Sequence, residues 1–326
     1  MKAVERILIL GGLLLAPAFA GCSLVNQVAL DTTSEILADA SPELETEHNW
    51  QRFRISVPAL LKTMEALWYN SPKNNDLLVS LTKGYSAYGF GVYETLALQE
   101  TLGDTDHKPY LQQALDYYSR AIDYGLRFLK TNDITVEQLA DAIKNGNGAS
   151  YLDNHLDQDN NTHVEGVFFL GFTWLSFANL QRDNPSLVSQ VYIVKGLIDW
   201  ACTAQPNMRD GLCKLMNAAY ETSRPKMLGG NPAKGAKIFR QAIKDHPNNH
   251  MIRLAYIQYS LIPSMDDDGY KEQKEALSKI FDKDYEPAVP GANVSLKSRS
   301  QSNQLFNAIA KRRFVIIKKF EKDIFE

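Results

Sequence analysis

The segment 228–247, LGGNPAKGAKIFRQAIKDHP, contains the helix that best indicates how the chain is organised. Pro232 suits the first helical turn, where its missing N–H would have no partner, and a second proline ends the helix. Gly235, Phe239 and Ala242 recur at spacings of four and three, which places them on one helix face. A small residue, an aromatic residue and an alanine at this spacing are typical of the second helix of a tetratricopeptide-type hairpin. Such a hairpin cannot bury its own apolar face, so similar hairpins are expected to stack beside it.

The same spacing occurs again at Ala114, Tyr118 and Ala121, which indicates a repeat. No stretch of useful length alternates apolar and polar residues as a strand does. The helices predicted from apolar periodicity are Trp50–Tyr69, Asp76–Leu102, Lys108–Leu129, Glu165–Leu180, Leu187–Ala204, Met208–Thr222, His250–Ile262, Asp267–Phe281 and Gln301–Phe325. The sequence therefore predicts an all-α, tetratricopeptide-like array of about five helical hairpins, an α-solenoid.

The first residues have the pattern of an export signal. Lys2 and Arg6 precede an apolar run over residues 7–15, which is too short to span a bilayer and matches the central region of a secretory signal. The letters FAGC at residues 19–22 resemble the lipobox of bacterial lipoproteins. That resemblance implies cleavage before Cys22 and acylation of its thiol and its new amino group. The alternative is a plain cleaved signal with an incidental cysteine.

The lipoprotein resemblance divides the chain into three parts. They are a signal peptide over residues 1–21, a lipidated tether over 22–46 and the helical domain over 47–326. Several acyl chains give lasting attachment to a bilayer, because each buried methylene contributes about 0.8 kcal/mol. Ser23 follows the cysteine, and similar lipoproteins without aspartate there are sorted to the outer membrane. We therefore expect a lipid-anchored protein on the periplasmic side of the bacterial envelope, in the outer membrane.

Export would leave Cys202 and Cys213 in an oxidising compartment. Pro206 lies between them and predicts a turn, so the two thiols could face each other across a helical hairpin. A disulfide over so short a loop would contribute roughly 3 kcal/mol in the chain-entropy model. Two free buried thiols are the alternative.

Several function classes find no support in the sequence. The 35 Lys and Arg against 38 Asp and Glu give a formal charge of −3, which provides no electrostatic attraction for nucleic acid. Residues 230–235 have P-loop glycine spacing but lack the following Lys-Ser or Lys-Thr. A calcium-like run from Asp153 has Gln158 where the loop needs glycine and Val164 where it needs glutamate. The six histidines fall mostly at turns and form no acid–base set. We therefore predict no enzyme activity, no metal site and no cofactor.

The last predicted helix carries two basic groups, Lys311–Arg313 and Lys318–Lys319, among apolar residues. Such a helix could lie on anionic headgroups. The more common role is the terminal cap of a solenoid, with a polar outer face and an apolar inner face.

Five segments, taken in order, resemble the T-component (TatT) family of TRAP transporters. The T-components are periplasmic, tetratricopeptide-like lipoproteins. The segments are Gly84–Tyr88, Tyr118–Ala121, Phe169–Trp174, Pro225–Pro232 leading into Ala236 and Phe239, and Asn307–Arg313. Gly229, Gly230 and Pro232 belong to the most specific of them. The resemblance covers nearly the whole chain after the signal.

The resemblance implies an array that curls around a lumen, an oligomer such as a trimer, and association with a TRAP-type solute-binding protein. It also implies that the protein holds or passes a small apolar or carboxylated ligand. The candidates for lining the lumen are Tyr85, Tyr88, Arg120, Trp174, Phe177 and Arg224. The two arginines would serve as counter-charges for a carboxylate. Plain core packing is the alternative for each aromatic residue.

Two hypotheses for the function follow. In the first, the protein is a non-enzymatic transport accessory that docks a solute-binding protein and shelters its ligand. In the second, it is a cell-envelope scaffold that assembles other proteins without a small-molecule ligand. A continuous apolar lumen with a charged mouth would favour the first, and a dry core with a concave outer groove would favour the second.

Overall fold

The computed structural model of the protein describes residues 29–41, 43–224, 226, 229–282 and 303–325. The predicted signal peptide and the predicted acylation site Cys22 lie outside these residues, so both stay predictions. The described part of the chain is helical and contains no strand, which confirms the predicted all-α fold.

From α1 to α14 the helices follow one another with short connections, as expected for stacked hairpins. In chain order they are α1 (residues 29–41 and 43–45), α2 (Trp50–Asn70), α3 (Asn75–Tyr88), α4 (Thr95–Leu102), α5 (Pro109–Thr131), α6 (Val136–Lys144), α7 (Gly148–Asp153), α8 (Asn161–Leu180), α9 (Pro185–Val188), α10 (Val191–Ala204), α11 (Leu212–Ser223), α12 (Pro232–Asp245), α13 (His250–Tyr256), α14 (Asp267–Phe281), α15 (Gln304–Lys319) and α16 (Glu321–Phe325). Two π-helical segments interrupt them: π1 (Gly89–Glu94) joins α3 to α4, and π2 (Ile257–Leu261) follows α13.

Asparagine side chains fix several helix starts. Asn49, Asn74, Asn160, Asn184 and Asn231 each accept a hydrogen bond from a backbone N–H in the first turn of the helix that follows. Those N–H groups have no partner inside the helix, so each cap contributes about 1 kcal/mol. These asparagine caps therefore define where each of the five helices begins.

Both small–aromatic–alanine stripes lie in the core. Tyr118 of α5 and Phe239 of α12 are fully buried, and so are the alanines that follow them, Ala121 and Ala242. Gly235 lies against α11, where a Cβ atom would be 2.4 Å from Thr222 Cγ2. A larger residue there would push α11 and α12 apart, which accounts for the small residue at the first position of the stripe.

Part of the predicted tether is folded onto the domain. Residues 29–41 and 43–45 are helical, and the Glu45 carboxylate at the end of α1 lies 2.7 Å from Arg209 Nε and 3.0 Å from Lys83 Nζ. Both cations also bind the Glu165 carboxylate. Two carboxylates thus match two cations, and the four side chains are nearly buried. This charge cluster holds the end of α1 against α3 and α8.

A disulfide joins Cys202, near the end of α10, to Cys213, near the start of α11. For a loop this short, the chain-entropy model gives a stabilisation of about 3 kcal/mol. Arg209 and Asp210 inside the loop have positive φ angles of 44° and 49°, a conformation that L-residues seldom adopt. The disulfide therefore restrains the strained loop that also places Arg209 beside Glu45 and Glu165.

Candidate ligand-binding cleft

A recess of about 670 Å³, which we call the outer cleft, lies between α8, α11, α12 and π2. Its walls include Leu175 of α8, Ala236 of α12, Tyr256 at the end of α13 and Tyr259 of π2. Small-molecule sites in proteins have volumes of about 300–1,000 Å³. The outer cleft is therefore large enough for a metabolite-sized ligand.

A second recess, the inner cavity, adjoins the outer cleft, because Leu175, Asn179, Ser223 and Tyr259 line both. Its volume is about 30 Å³, which is room for about one or two water molecules. Arg313 of α15 forms part of its wall. The inner cavity therefore extends from the outer cleft to the buried Arg313.

A third recess, the apolar cavity, has a volume of about 100 Å³ and lies beneath α1. Leu37 and Leu44 of α1 line it. Phe90 and Phe172 line both this cavity and the inner cavity, so the two are neighbours. The three cavities thus adjoin one another from the outer cleft to the covering helix α1.

The turn between α11 and α12 builds one wall of the outer cleft from the glycine–proline motif. Gly229 has a φ of +78°, which favours glycine. A Cβ atom on Gly230 would lie 1.9 Å from the Arg224 carbonyl oxygen, so no larger residue fits. Pro232 occupies the first turn of α12 and lines the cleft. The motif that carries the family resemblance therefore shapes the wall in which Arg224 lies.

Arg224 is held in that wall by its neighbours. Its guanidinium lies 3.7 Å from the centre of the Tyr220 ring, and its Nη2 donates to the Gly229 carbonyl oxygen at 3.1 Å. Its Nε donates to the Tyr220 carbonyl oxygen at 3.2 Å. These contacts orient the cation before any ligand arrives, which lowers the entropy cost of binding an anion.

The charges around the outer cleft favour an anion. Arg182, Arg224 and Arg240 line it, against the carboxylates of Asp183 and Asp266. The arginines outnumber the carboxylates, and guanidinium groups bind carboxylates through paired hydrogen bonds. The cleft therefore suits a ligand that combines a negatively charged group with an apolar part.

Arg313 is buried with its charge compensated. Its Nη1 donates to Glu94 Oε1 at 3.0 Å and to Gln258 Oε1 at 3.3 Å. Its Nη2 donates to the Phe90 carbonyl oxygen at 2.6 Å, and its Nε donates to Thr95 Oγ1 at 2.9 Å. A buried charge is tolerated only when it is paired and hydrogen-bonded, as here. Arg313 is the one cation among the described residues that line the inner cavity, and it is already paired.

The two π-helical segments meet at this cluster. Phe90 and Glu94 belong to π1, whereas Gln258 and Tyr259 belong to π2. Tyr118 and Tyr259 donate hydrogen bonds to the Glu94 carboxylate. Burial and the nearby Glu94 carboxylate raise the pKa of both tyrosines well above the usual value. π-Helical turns are frequent at functional sites, because they reposition backbone and side-chain groups.

Three of the predicted lumen residues lie together at a different place, between α2, α3 and α5. The Tyr85 hydroxyl donates to Glu65 Oε1 at 2.5 Å, and Arg120 Nη1 lies 3.7 Å from the same oxygen. The Tyr88 hydroxyl donates to the Arg54 carbonyl oxygen at 2.8 Å. We call this group of rings the tyrosine cluster, which comprises Tyr85, Tyr88, Tyr93, Tyr117 and Tyr124.

The tyrosine cluster shifts the protonation of its members. Burial raises the pKa of Tyr85, Tyr88 and Tyr117 to about 12, and the Glu65 carboxylate adds to the effect on Tyr85. Burial alone would raise the pKa of Glu65, but hydrogen bonds from Lys62 and from the tyrosine hydroxyls lower it overall. The cluster therefore keeps Glu65 ionised and its tyrosines neutral.

The remaining predicted lumen residues are divided between two places. Trp174 is buried in α8, and Phe177 of the same helix is half-buried against the core. Arg224 lines the outer cleft. Of the six predicted residues, the structure brings Tyr85, Tyr88 and Arg120 together and places Arg224 in the cleft.

Sequence reasoning missed the role of Arg313 and Glu94. A terminal cap with a polar outer face predicts exposed basic side chains on the last helix, whereas Arg313 points into the core with 1% of its side chain exposed. The sequence does indicate that Arg313 faces inward, because it follows Ile309 by four residues and so lies on the same apolar helix face. Glu94 similarly lies in the apolar run GFGVYETLAL over residues 89–98.

The calcium-like run is held by contacts among protein groups. Asp153 Oδ1 accepts hydrogen bonds from Trp200 Nε1 and from Gln158 Nε2, both at 2.7 Å. His163 Nδ1 accepts a hydrogen bond from the Asp157 N–H at 3.0 Å. Among the described residues, no group of three or more acidic, histidine or cysteine side chains is arranged to hold a metal ion.

Comparison with known proteins identifies one relationship. A family model described as TRAP transporter T-component matches residues 51–325, which is most of the chain. No curated protein matches the sequence. Within the described residues, no helix has both the length and the apolar composition needed to cross a bilayer.

Proposed function

The chain belongs to the TRAP transporter T-component family, and we propose that it partners a TRAP-type solute-binding protein and holds a small ligand in the outer cleft. Membership assigns it a role with TRAP transporters and associates it with the cell envelope. The outer cleft carries the finer proposal. Arg224 and Pro232 line it, and Gly229 and Gly230, which belong to the segment of strongest family resemblance, lie in the turn between them and contact Arg224.

The ligand is proposed to be a small carboxylate with an apolar part. Arg224 and Arg240 would take the carboxylate at the cleft wall, whereas Leu175 and Ala236 would contact the apolar part. Arg313 is paired with Glu94, so the carboxylate would remain in the outer cleft and only uncharged groups would approach the inner cavity.

The role is proposed to be non-enzymatic. Transfer or storage of a ligand needs a cleft and a docking surface, and it requires no bond to be made or broken. Attachment through acylated Cys22 to the periplasmic face of the outer membrane, and assembly into an oligomer such as a trimer, belong to the same proposal. They are supported by the lipobox-like residues 19–22 and by the family membership.

The test of the partnership is co-purification of the chain from residue 23 onward with the TRAP solute-binding proteins of its own cell. Size-exclusion chromatography with light scattering would give the stoichiometry of the complex and the oligomeric state of the chain alone. A stoichiometric complex with one such protein is the expected result. A chain that captures none of them at micromolar concentration and low salt would contradict the partnership and favour an envelope scaffold.

A further inference from the structure

An open cleft of about 830 Å³, which we call the basic cleft, lies where three separate parts of the chain meet. Trp50 and Arg54 come from α2, His250 comes from the start of α13, and Lys311 and Arg312 come from α15. None of the residues that line the basic cleft lines the outer cleft described above. The basic cleft is therefore a separate site from the outer cleft.

The lining of the basic cleft is cationic. Arg54, Lys311 and Arg312 line it together with two histidines, and no acidic side chain of the described residues is part of the lining. The adjacent acid, Glu47, lies 3.6 Å from Arg52 Nε. Although the whole chain has a formal charge of −3, this cleft concentrates positive charge. Such local charge attracts anionic partners.

Trp50 positions two of the cations. The guanidinium carbons of Arg54 and Arg312 lie 5.7 Å and 5.2 Å from the centre of its ring, within range for cation–π contact. Trp50 Nε1 donates to the Gly91 carbonyl oxygen at 2.7 Å, which fixes the ring. The ring therefore acts as a support for both guanidinium groups.

Neither guanidinium is paired with a carboxylate of the described residues. Among the described residues, Arg54 and Arg312 form no ion pair, and the buried Nε of Arg312 has no hydrogen-bond partner. Their neighbour Arg313, by contrast, is fully paired with Glu94. Planar guanidinium groups bind carboxylates bidentately, so two such groups held on one ring are ready to accept acidic side chains.

We propose that the basic cleft is a docking site for an acidic peptide segment of a partner protein. Glutamate or aspartate side chains would pair with Arg54 and Arg312, and the exposed Gln51 and Asn248 would form hydrogen bonds with the peptide backbone. The inference does not depend on the ligand of the outer cleft or on which protein supplies the segment.

A peptide fits these observations better than a lipid surface. Proteins that lie on a membrane insert several apolar side chains among the headgroups. In the basic cleft, Val315 is the one large apolar side chain of the described residues that is more than half exposed. The Trp50 indole N–H is already bonded to Gly91, and its ring is covered by guanidinium groups. The tryptophan is therefore not free to insert into a bilayer.

The test is fluorescence anisotropy with a fluorescein-labelled peptide in which glutamate alternates with glycine and serine. The wild-type chain is expected to bind at low ionic strength and to weaken with added salt, as charge pairing requires. The double variant Arg54→Gln/Arg312→Gln should bind about tenfold more weakly or worse. The double variant Lys237→Gln/Lys244→Gln removes the same charge from exposed positions on α12 and should bind like the wild type.

Two further measurements keep the test decisive. Arg54→Lys/Arg312→Lys retains the charge but not the planar fork, so its affinity should lie between those of the wild type and the glutamine variant. Circular dichroism melting would confirm that each variant is folded.

Failure of the wild-type chain to bind the peptide, or equal binding by the Arg54→Gln/Arg312→Gln variant, would overturn the proposal. Tighter, Arg54- and Arg312-dependent binding to phosphatidylglycerol vesicles would overturn it in favour of a membrane.

Discussion

Arg313 Nη1 and Glu94 Oε1 lie 3.0 Å apart in the core, although the two residues are 219 positions apart in the chain. Only 1% of the Arg313 side chain and 6% of the Glu94 side chain are exposed. The pair joins α15 to π1 and closes the inner end of the candidate ligand site.

Removing one member of this pair should destabilise the protein strongly. Arg313→Met leaves the Glu94 carboxylate buried without its cation, and the expected loss is about 3–5 kcal/mol in the free energy of unfolding. Adding Glu94→Gln to that variant should recover part of the loss. Urea unfolding followed by circular dichroism measures both. The control is Lys319→Met on the exposed face of α15, with an expected change within about 0.5 kcal/mol. A similar small change for Arg313→Met would contradict the role of the pair.

The disulfide between Cys202 and Cys213 should contribute measurable stability. Cys202→Ser/Cys213→Ser is expected to lower the free energy of unfolding by about 3 kcal/mol, because the unfolded chain regains the freedom of the loop. Guanidinium unfolding with and without reductant checks this. Reductant should reproduce the loss in the wild type and have no effect on the double variant. If reductant leaves the unfolding midpoint of the wild type unchanged, the disulfide does not contribute to stability.

Gly230→Ala should disturb the wall of the outer cleft. The new Cβ would lie 1.9 Å from the Arg224 carbonyl oxygen, so the backbone has to move. We expect a loss of about 3 kcal/mol in the free energy of unfolding, the upper end of the range for overpacked sites, because the clash is with backbone. Thermal unfolding is the measurement. Gly146→Ala serves as the comparison, because Gly146 has a positive φ but no atom within 4 Å of a new Cβ. Its expected loss is about 1 kcal/mol, and an equal loss at both sites would contradict the steric argument.

The tyrosine cluster should make stability depend on pH in the alkaline range. Burial raises the pKa of Tyr85, Tyr88 and Tyr117 from 10.0 to about 12 in the folded state. The unfolded chain therefore releases these protons first, and the stability that they contribute is present below pH 10 and lost between pH 10 and 12. Unfolding free energies measured across this interval, with tyrosine absorbance as a monitor, should fall.

Glu65→Gln provides the matched variant for the cluster. Removing the carboxylate takes away one cause of the raised pKa of Tyr85, so that tyrosine should ionise at lower pH than in the wild type. Difference absorbance spectra of the two proteins would show the change. Identical titration curves would mean that Glu65 has no influence on the cluster.

The sequence predicted the fold from short-range patterns. The stripes at Ala114, Tyr118 and Ala121 and at Gly235, Phe239 and Ala242 are buried as expected, because helical spacing decides which residues share a face. The glycine–proline motif likewise identified the segment that forms one wall of the outer cleft. These features depend on residues within a few turns of one another.

The arrangement of the site depends on contacts that spacing does not reveal. The outer cleft combines residues of α8, α11, α12 and π2, and the Arg313–Glu94 pair joins distant parts of the chain. A helix in a stacked array has neighbours on more than one side, so its apolar faces do not indicate which one borders a cavity. Tyr85 and Arg120, for example, lie beside Glu65 and do not line the outer cleft, which their helical spacing alone does not reveal.

The most direct test of the account is binding of cis-parinaric acid, a fluorescent carboxylate with an apolar chain. The wild-type chain is expected to bind it, and Arg224→Gln to bind it more weakly, because the carboxylate loses a cation in the cleft wall. Ala236→Trp should fill the outer cleft and weaken binding about tenfold or more. Ala59→Trp, at an exposed position on α2, should leave binding unchanged. Equal binding by the wild type and by Ala236→Trp would contradict the placement of the ligand in the outer cleft.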